Sequence, residues 1–147
     1  MPDFKILITG GLGYLGGRIA DFLKRNHPQA IIILGTSRKI FKKPDWAKSF
    51  QIAQFNLLDS ASIDKAITND INAIIHLAAR VGGVKGNTDY VADFFHDNIL
   101  INTNLLEAAQ ICRVPKVVSL LSTCIYPDIV SYPLTPDQIH SGVPHKS

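Results

Sequence analysis

No apolar run in this 147-residue chain approaches the length that spans a bilayer, and neither charge sign is in large excess, the formal net charge being +3. The first shortage speaks against a transmembrane protein. The second, with basic residues scattered in short groups such as Arg38-Lys39 and Lys42-Lys43, speaks against a nucleic-acid partner, which calls for a basic stripe. The chain has two cysteines, Cys112 and Cys124, without metal spacing between them, so neither a disulfide framework nor a zinc site is expected and both read as reduced thiols. There are no internal repeats, and the first residues lead into a strand without a signal-peptide pattern, so the expected compartment is the cytoplasm. The length suits one domain with a real core.

What the chain does contain is glycine at the right places. Thr9-Gly10-Gly11-Leu12-Gly13-Tyr14-Leu15-Gly16 follows an apolar run over residues 4–8 and opens a segment of helical pattern. Strand, glycine turn and helix start, with glycines at 10, 13 and 16, are the parts of a dinucleotide grip. Gly10 permits the turn, Gly13 lets a pyrophosphate approach the backbone at the positive end of the helix, and Gly16 lets the helix pack against the strand. The alternative is an ordinary glycine-rich loop, which the strand and helix on either side argue against.

Along the chain, strand and helix alternate. Strands are expected over residues 4–9, 30–34, 51–55, 73–77 and 116–121. Helices are expected over residues 14–26, with Leu15, Ile19, Phe22 and Leu23 as the buried stripe, from a cap at Asp59 or Ser60 through Ile63, Ala66 and Ile67, and over residues 90–112. Residues 40–49, with Pro44 and Trp46, read as a surface excursion, residues 80–84 as a glycine-bearing loop, and residues past Pro127 as irregular. The long helix carries the stripe Val91, Phe94, Asn98, Ile101, Leu105, Ala109, Cys112. Alternation of this kind predicts an α/β, Rossmann-type doubly wound parallel sheet in the order 3-2-1-4-5, with a ligand crevice at the carboxyl ends of the first and fourth strands.

The loops at that edge hold the candidate chemistry. After the second strand stand Ser37, Arg38 and Lys39 with no acid among them; an acid there would bind the ribose of NAD, whereas a guanidinium suits the 2′-phosphate of NADP. NADP is therefore the expected cofactor, NAD the alternative, and a solvated basic turn the bland reading. After the fifth strand, Ser122 can donate to a carbonyl oxygen and Cys124 can carry a proton if its surroundings tune it, though a small buried hydrophobe is the plain alternative for the thiol. Asn98 reads equally as a satisfied core amide, His76 as a packed strand residue, and His140 and His145 as loop residues.

The glycine loop and His76-Leu77-Ala78-Ala79 together resemble the extended short-chain dehydrogenase/reductases, a family of nucleotide-sugar epimerases and reductases. Asn56-Leu57-Leu58-Asp59 sits where that family often has Asp-Leu-x-Asp flanking the adenine, and Asn56 departs from the aspartate. Within the family, the residues from 73 onward look most like the GDP-L-fucose synthases: the stretch from His76 to Gly83, Ser122-Thr-Cys-Ile-Tyr-Pro127, Tyr132-Pro133, and Ile139-His140 through Gly142 and Pro144 to His145. The resemblance implies an NADP-dependent epimerisation and reduction of GDP-4-keto-6-deoxymannose, and a homodimer for an intact enzyme. It implies cofactor contacts at Gly10, Gly13, Tyr14, Leu15, Gly16, Ser37, Arg38, Asn56, Leu57, Leu77, Ala78 and Ala79, a hydrogen bond from Ser122 to the C4 oxygen, and proton transfer by Cys124. The family's Tyr-x-x-x-Lys pair is not found in these 147 residues, nor is its sugar-binding domain. The expectation is thus the NAD(P)-binding portion, residues 1–147, of such an enzyme, inactive alone; the alternatives are an NAD-dependent nucleotide-sugar 4-epimerase or dehydratase of the same family and a dinucleotide-binding module without catalysis of its own.

Overall fold

The computed structural model of the chain describes residues 4–144, apart from the side chain of Val84. Five parallel strands, β1 (Lys5–Thr9), β2 (Ile31–Thr36), β3 (Gln51–Gln54), β4 (Ala73–His76) and β5 (Lys116–Ser119), form one sheet in the order β3-β2-β1-β4-β5. Parallel pairing needs crossovers, and the helices α1 (Tyr14–Asn26), α2 (Ser60–Ile63) and α4 (Val91–Ile111) lie within them. The expected strand order and fold class are those observed. His145 lies outside the described residues.

The apolar side chains of β1 alternate between two cores. Ile6 and Ile8 join Ala20 of α1 with Ile32, Leu34, Ala47 and Phe50, while Leu7 joins Ile63, Ile67, Ile74, Ile101 and Leu105 on the other side. Each fully buried Leu or Ile contributes about 1.5–3 kcal/mol, so within the sheet stability is concentrated in the three inner strands β2, β1 and β4, whereas the edge strand β3 has no buried residue. β5 contributes less: Val118 is exposed, as are Leu120 and Leu121 just beyond it.

Several details depart from the sequence pattern. The buried face of α1 runs through Gly16, Ile19, Ala20 and Leu23, which turns Leu15 and Phe22 to solvent. The glycine at 16 sets that face, because a residue without Cβ marks where the helix comes closest to its neighbours. The expected loop over residues 80–84 is overtaken from Gly83 by a short helix α3 (Gly83–Asp89), bridged by Lys85 Nζ to Asp89 at 2.6 Å. The stripe of α4 is buried only from Ile101 onward, and Val91 is exposed. The excursion around Trp46 is not detached: its indole packs over Gly17 of α1 and lies 6.3 Å from the Phe50 ring. A 3₁₀ turn, Pro136–His140, occurs in the region expected to be irregular.

Candidate cofactor site

An open cleft of ≈ 490 Å³ runs along the carboxyl edge of the sheet. It is lined by Thr9 and the glycine turn at the end of β1, residues 35–38 at the end of β2, residues 55–58 after β3, residues 77–81 after β4, and Asp97 and Ile101 of α4. Four of the five strand ends thus share one cavity.

The turn after β1 owes its shape to absent side chains. Gly10 has φ +67°, a conformation costly for other residues, and a Cβ there would come within 3.2 Å of the Ala78 nitrogen. A Cβ at Gly16 would sit 2.5 Å from the Gly10 oxygen and 2.7 Å from the Gly11 Cα, so the close approach is between helix and loop rather than helix and strand as expected. The contact with β2 falls to Gly11, whose Cβ would meet the Leu34 Cα at 2.8 Å, a role not read from the sequence. Gly13 is the N-cap of α1 and caps it with no side chain.

Among the described residues, the N–H groups of Leu12, Tyr14, Leu15 and Gly16 have no hydrogen-bond partner. Four donors at the positive end of a 13-residue helix fit a phosphate group. Tyr14 and Leu15 contribute here by backbone alone: their side chains are exposed, do not line the cleft, and the Tyr14 ring lies 5.7 Å from the Arg18 guanidinium.

Beneath the turn, Thr9 ties β1 to β4. Its buried hydroxyl oxygen accepts from the N–H groups of Leu77 at 3.1 Å and Ala78 at 3.2 Å, and lies 2.7 Å from His76 Nδ1. With both lone pairs taken, the hydroxyl donates to Nδ1, which puts the ring proton on Nε2. Nε2 is buried with no hydrogen bond of normal geometry, and burial pushes the His76 pKa down against a smaller opposing contribution from Asn102. His76 is thus a neutral, packed strand residue, as expected.

The β4 exit loop is held from the other side by α4. Asn98 accepts from the Arg80 N–H at 2.8 Å and donates to the Arg80 carbonyl at 2.9 Å. The Arg80 guanidinium stacks 4.9 Å from the Phe94 ring centroid and bonds Asp97 at 2.7 Å. That bond, with a smaller contribution from His96, holds the Asp97 carboxyl below the usual range. Asp97 and Arg80 therefore offset each other, which leaves Arg38, in no ion pair among the described residues, as the cation facing the cleft with nothing to neutralise it. Ser37 lies beside it, and the turn is tightened by Arg38 N–H donating to Thr36 Oγ1 at 3.2 Å. Thr9, Arg80 and Asp97 were not singled out from sequence; the pairings span 17 or more residues and leave no local pattern.

Of the expected site residues, Gly10, Gly13, Ser37, Arg38, Asn56, Leu57, Leu77, Ala78 and Ala79 line the cleft. Ser122 and Cys124 do not. They sit on the loop beyond β5, where Ser122 Oγ accepts from the Cys124 N–H at 3.1 Å and so caps a 3₁₀ turn, Thr123–Ile125. Ser122 is exposed and Cys124 half-buried. The hydroxyl proton of Ser122 is not used in that bond. His140 is exposed. No helix among the described residues is long and apolar enough to cross a membrane, and no cluster of side chains there could hold a metal ion.

Residues 6–144 match the model of the NAD dependent epimerase/dehydratase family. The chain is 35% identical over 144 residues to the GDP-L-fucose synthase of Dictyostelium discoideum, with 97% of the chain and 40% of the relative covered. Identity to the GDP-L-fucose synthase of Escherichia coli (strain K12) is 34% over 143 residues, with the same two coverages. These alignments extend the similarity through the first 70 residues, beyond the motifs that suggested it. Among solved structures, a GDP-L-fucose synthetase from Naegleria fowleri bound to NADP superposes with TM-score 0.72 at 28% identity, covering 100% of this chain and 39% of that one. The chain spans about 40% of the length of the curated relatives it matches. The glycine turn, the open helix end and these matches place the chain in the NAD dependent epimerase/dehydratase family.

Proposed function

We propose that these residues form the NADP-binding portion of a nucleotide-sugar epimerase/reductase of the GDP-L-fucose synthase kind. The observation that carries the reading is the pairing of four open N–H donors at the start of α1 with an un-neutralised Arg38 at the end of β2 in one cleft. The donors would hold the pyrophosphate and Arg38, with Ser37, the 2′-phosphate. NAD lacks that phosphate, and the cleft offers no acid after β2 for its ribose hydroxyls.

The dinucleotide supplies hydride for reducing a sugar ketone. Ser122, with its hydroxyl proton unspent, would donate to that ketone's oxygen, and Cys124 would move a proton at the carbon beside it, where the ketone acidifies the C–H bond. Both would act on a GDP-linked 4-keto sugar, a substrate class supported by similarity to GDP-L-fucose synthases and, at 30% identity over 132 residues, to a GDP-mannose 3,5-epimerase of Oryza sativa. Reduction also needs an acid for the alkoxide, and these 147 residues contain no Tyr-x-x-x-Lys pair to supply it. General acid assistance is worth about 10²–10⁴ in rate, so this stretch by itself binds cofactor without appreciable turnover.

Fluorescence titration with NADPH and NADH tests the cofactor half. NADPH should bind about tenfold tighter, and Arg38→Ala should remove the difference, a charge-assisted hydrogen bond being worth roughly 1.5 kcal/mol. Equal affinities in the parent chain would overturn the NADP reading.

A further inference from the structure

One end of the cleft lies across the glycine turn from Arg38. With the pyrophosphate at the start of α1 and the 2′-phosphate at the end of β2, a dinucleotide that straddles the reversal of strand order carries its nicotinamide half over β4. Residues 77–81, Asp97 and Ile101 line that end. Among the described residues, three charged side chains line the whole cleft, Arg38, Arg80 and Asp97, and two of them stand here.

Arg80 is held by more than its carboxylate partner. Asn98 bonds both backbone groups of the residue and the Phe94 ring carries the guanidinium at 4.9 Å, so loss of the Asp97 charge leaves a cation where a neutral pair stood. Asp97 is fixed in turn by Arg80 Nη1 at 2.7 Å and by His96 Nδ1 at 3.2 Å. With 43% of the Arg80 and 19% of the Asp97 side chain exposed, such a pair adds little to stability. Its consequence is local charge. The two oxidation states of the cofactor differ in charge at one place: the nicotinamide ring is positive in NADP⁺ and neutral in NADPH. Their phosphates, riboses and adenine are the same.

We propose that Asp97, by neutralising Arg80, sets the oxidation-state balance of this site and keeps the nicotinamide end of the cleft open to NADP⁺ as well as to NADPH. This rests on the dinucleotide reading above and adds a property that the glycine turn and Arg38, which meet only the shared phosphates, do not determine. A lone Arg80 would repel the oxidised ring, and a lone Asp97 would attract it. Hydride transfer converts one form into the other within the site, and the pair leaves neither favoured by charge at this end.

The test is the ratio of the dissociation constants of NADP⁺ and NADPH at pH 7.5, read from NADPH fluorescence and from displacement of NADPH by NADP⁺. It is measured for the parent chain, Asp97→Asn, Arg80→Gln and the double variant. Asp97→Asn should raise the ratio about fourfold and Arg80→Gln should lower it about fourfold, the effect of one unit charge across a cleft whose dielectric lies between that of protein surface and water. The double variant should return to within ~1.5-fold of the parent, and 0.5 M salt should shrink both shifts. An effect of either substitution on phosphate binding or on folding moves the two ligands together and cancels in the ratio. A ratio within ~1.5-fold of the parent in either single variant, shifts of equal or reversed sign, or a parent that binds NADPH but not NADP⁺ overturns the assignment and leaves the dinucleotide site standing. Failure of the parent chain to bind NADPH overturns the dinucleotide reading itself.

Discussion

The two sides of β4 differ in how much of a site they complete. On the β1 side, the cleft walls are tied to one another: Thr9 to Leu77 and Ala78, Asn98 to both backbone groups of Arg80, Asn104 to Leu57. On the β5 side, Ser122 caps its own turn, and Val118, Leu120 and Leu121 are exposed beside it. The phosphate-binding groups are preorganised within these residues, whereas the two groups suited to sugar chemistry stand outside the cleft. A dinucleotide is gripped by backbone donors that a single strand–turn–helix unit can supply. A ketone needs side chains converging from several elements, and that convergence is absent among the described residues.

The largest expected effect breaks the first side outright. Gly16→Val drives a side chain into the Gly10 carbonyl and Gly11 Cα, both backbone, and should destabilise the fold by about 3 kcal/mol or more in urea unfolding. Gly13→Val is its counterpart: a Cβ there meets only the Gly10 oxygen, at 3.1 Å, so the thermal transition should stay near that of the parent while NADPH binding is lost. Should Gly13→Val bind NADPH normally, the phosphates lie elsewhere.

Thr9→Val keeps the shape and removes the hydroxyl that Leu77, Ala78 and His76 share. Leaving the buried His76 Nδ1 and the two half-buried N–H groups without this partner should cost about 2–3 kcal/mol, and NADPH affinity should fall with it because the loop lining the cleft loosens. A change below about 0.5 kcal/mol would mean that the hydroxyl's bonds are replaced by water.

The same contact gives the β1 side a pH dependence. The His76 pKa is lowered in the folded chain from its ordinary 6.5 because burial disfavours the imidazolium. The unfolded chain then binds more protons, so the contribution to stability is complete above pH 6.5 and is lost as pH falls from there toward the folded-state value. Chemical denaturation at pH 7.5 and at successively lower values should show this loss, diminished in His76→Asn. An identical pH profile in the two chains would remove His76 from the account.

The smallest effects belong to the β5 side. Ser122→Ala gives up one exposed cap, worth about 0.5–1 kcal/mol, and Cys124→Ser should change stability no more; neither should alter NADPH affinity beyond twofold. A large loss of binding in either would show that the two sides are not separate.

How much of this was legible in the sequence follows the same division. The strand order and the residues of the glycine turn could be read because their signals are local: apolar runs of strand length, glycines at fixed offsets, and helix caps such as Asp59, whose carboxylate accepts from the Ala61 N–H. Arg38 was legible because a position after a strand carries its own rule. The Thr9 hydroxyl, the Asn98 clasp on Arg80 and the offsetting Arg80–Asp97 pair were not, since each joins residues 17 or more apart through geometry alone. The helix α3 was missed because its Gly-Val-Lys-Gly-Asn-Thr-Asp sequence has loop composition. Leu15 and Phe22 were assigned to the core because apolar spacing was followed where Gly16 and Ala20 set the packed face.

The central claim is that the cofactor grip is complete on the β1 side of these residues, and amide chemical-shift mapping of the 147-residue chain during NADPH titration tests it most directly. Saturable shifts are expected at Leu12, Tyr14, Leu15, Gly16 and Arg38, with little change at Val118, Ser122 or Cys124. Shifts that cluster around β5, or no saturable shifts in the glycine turn, would contradict it.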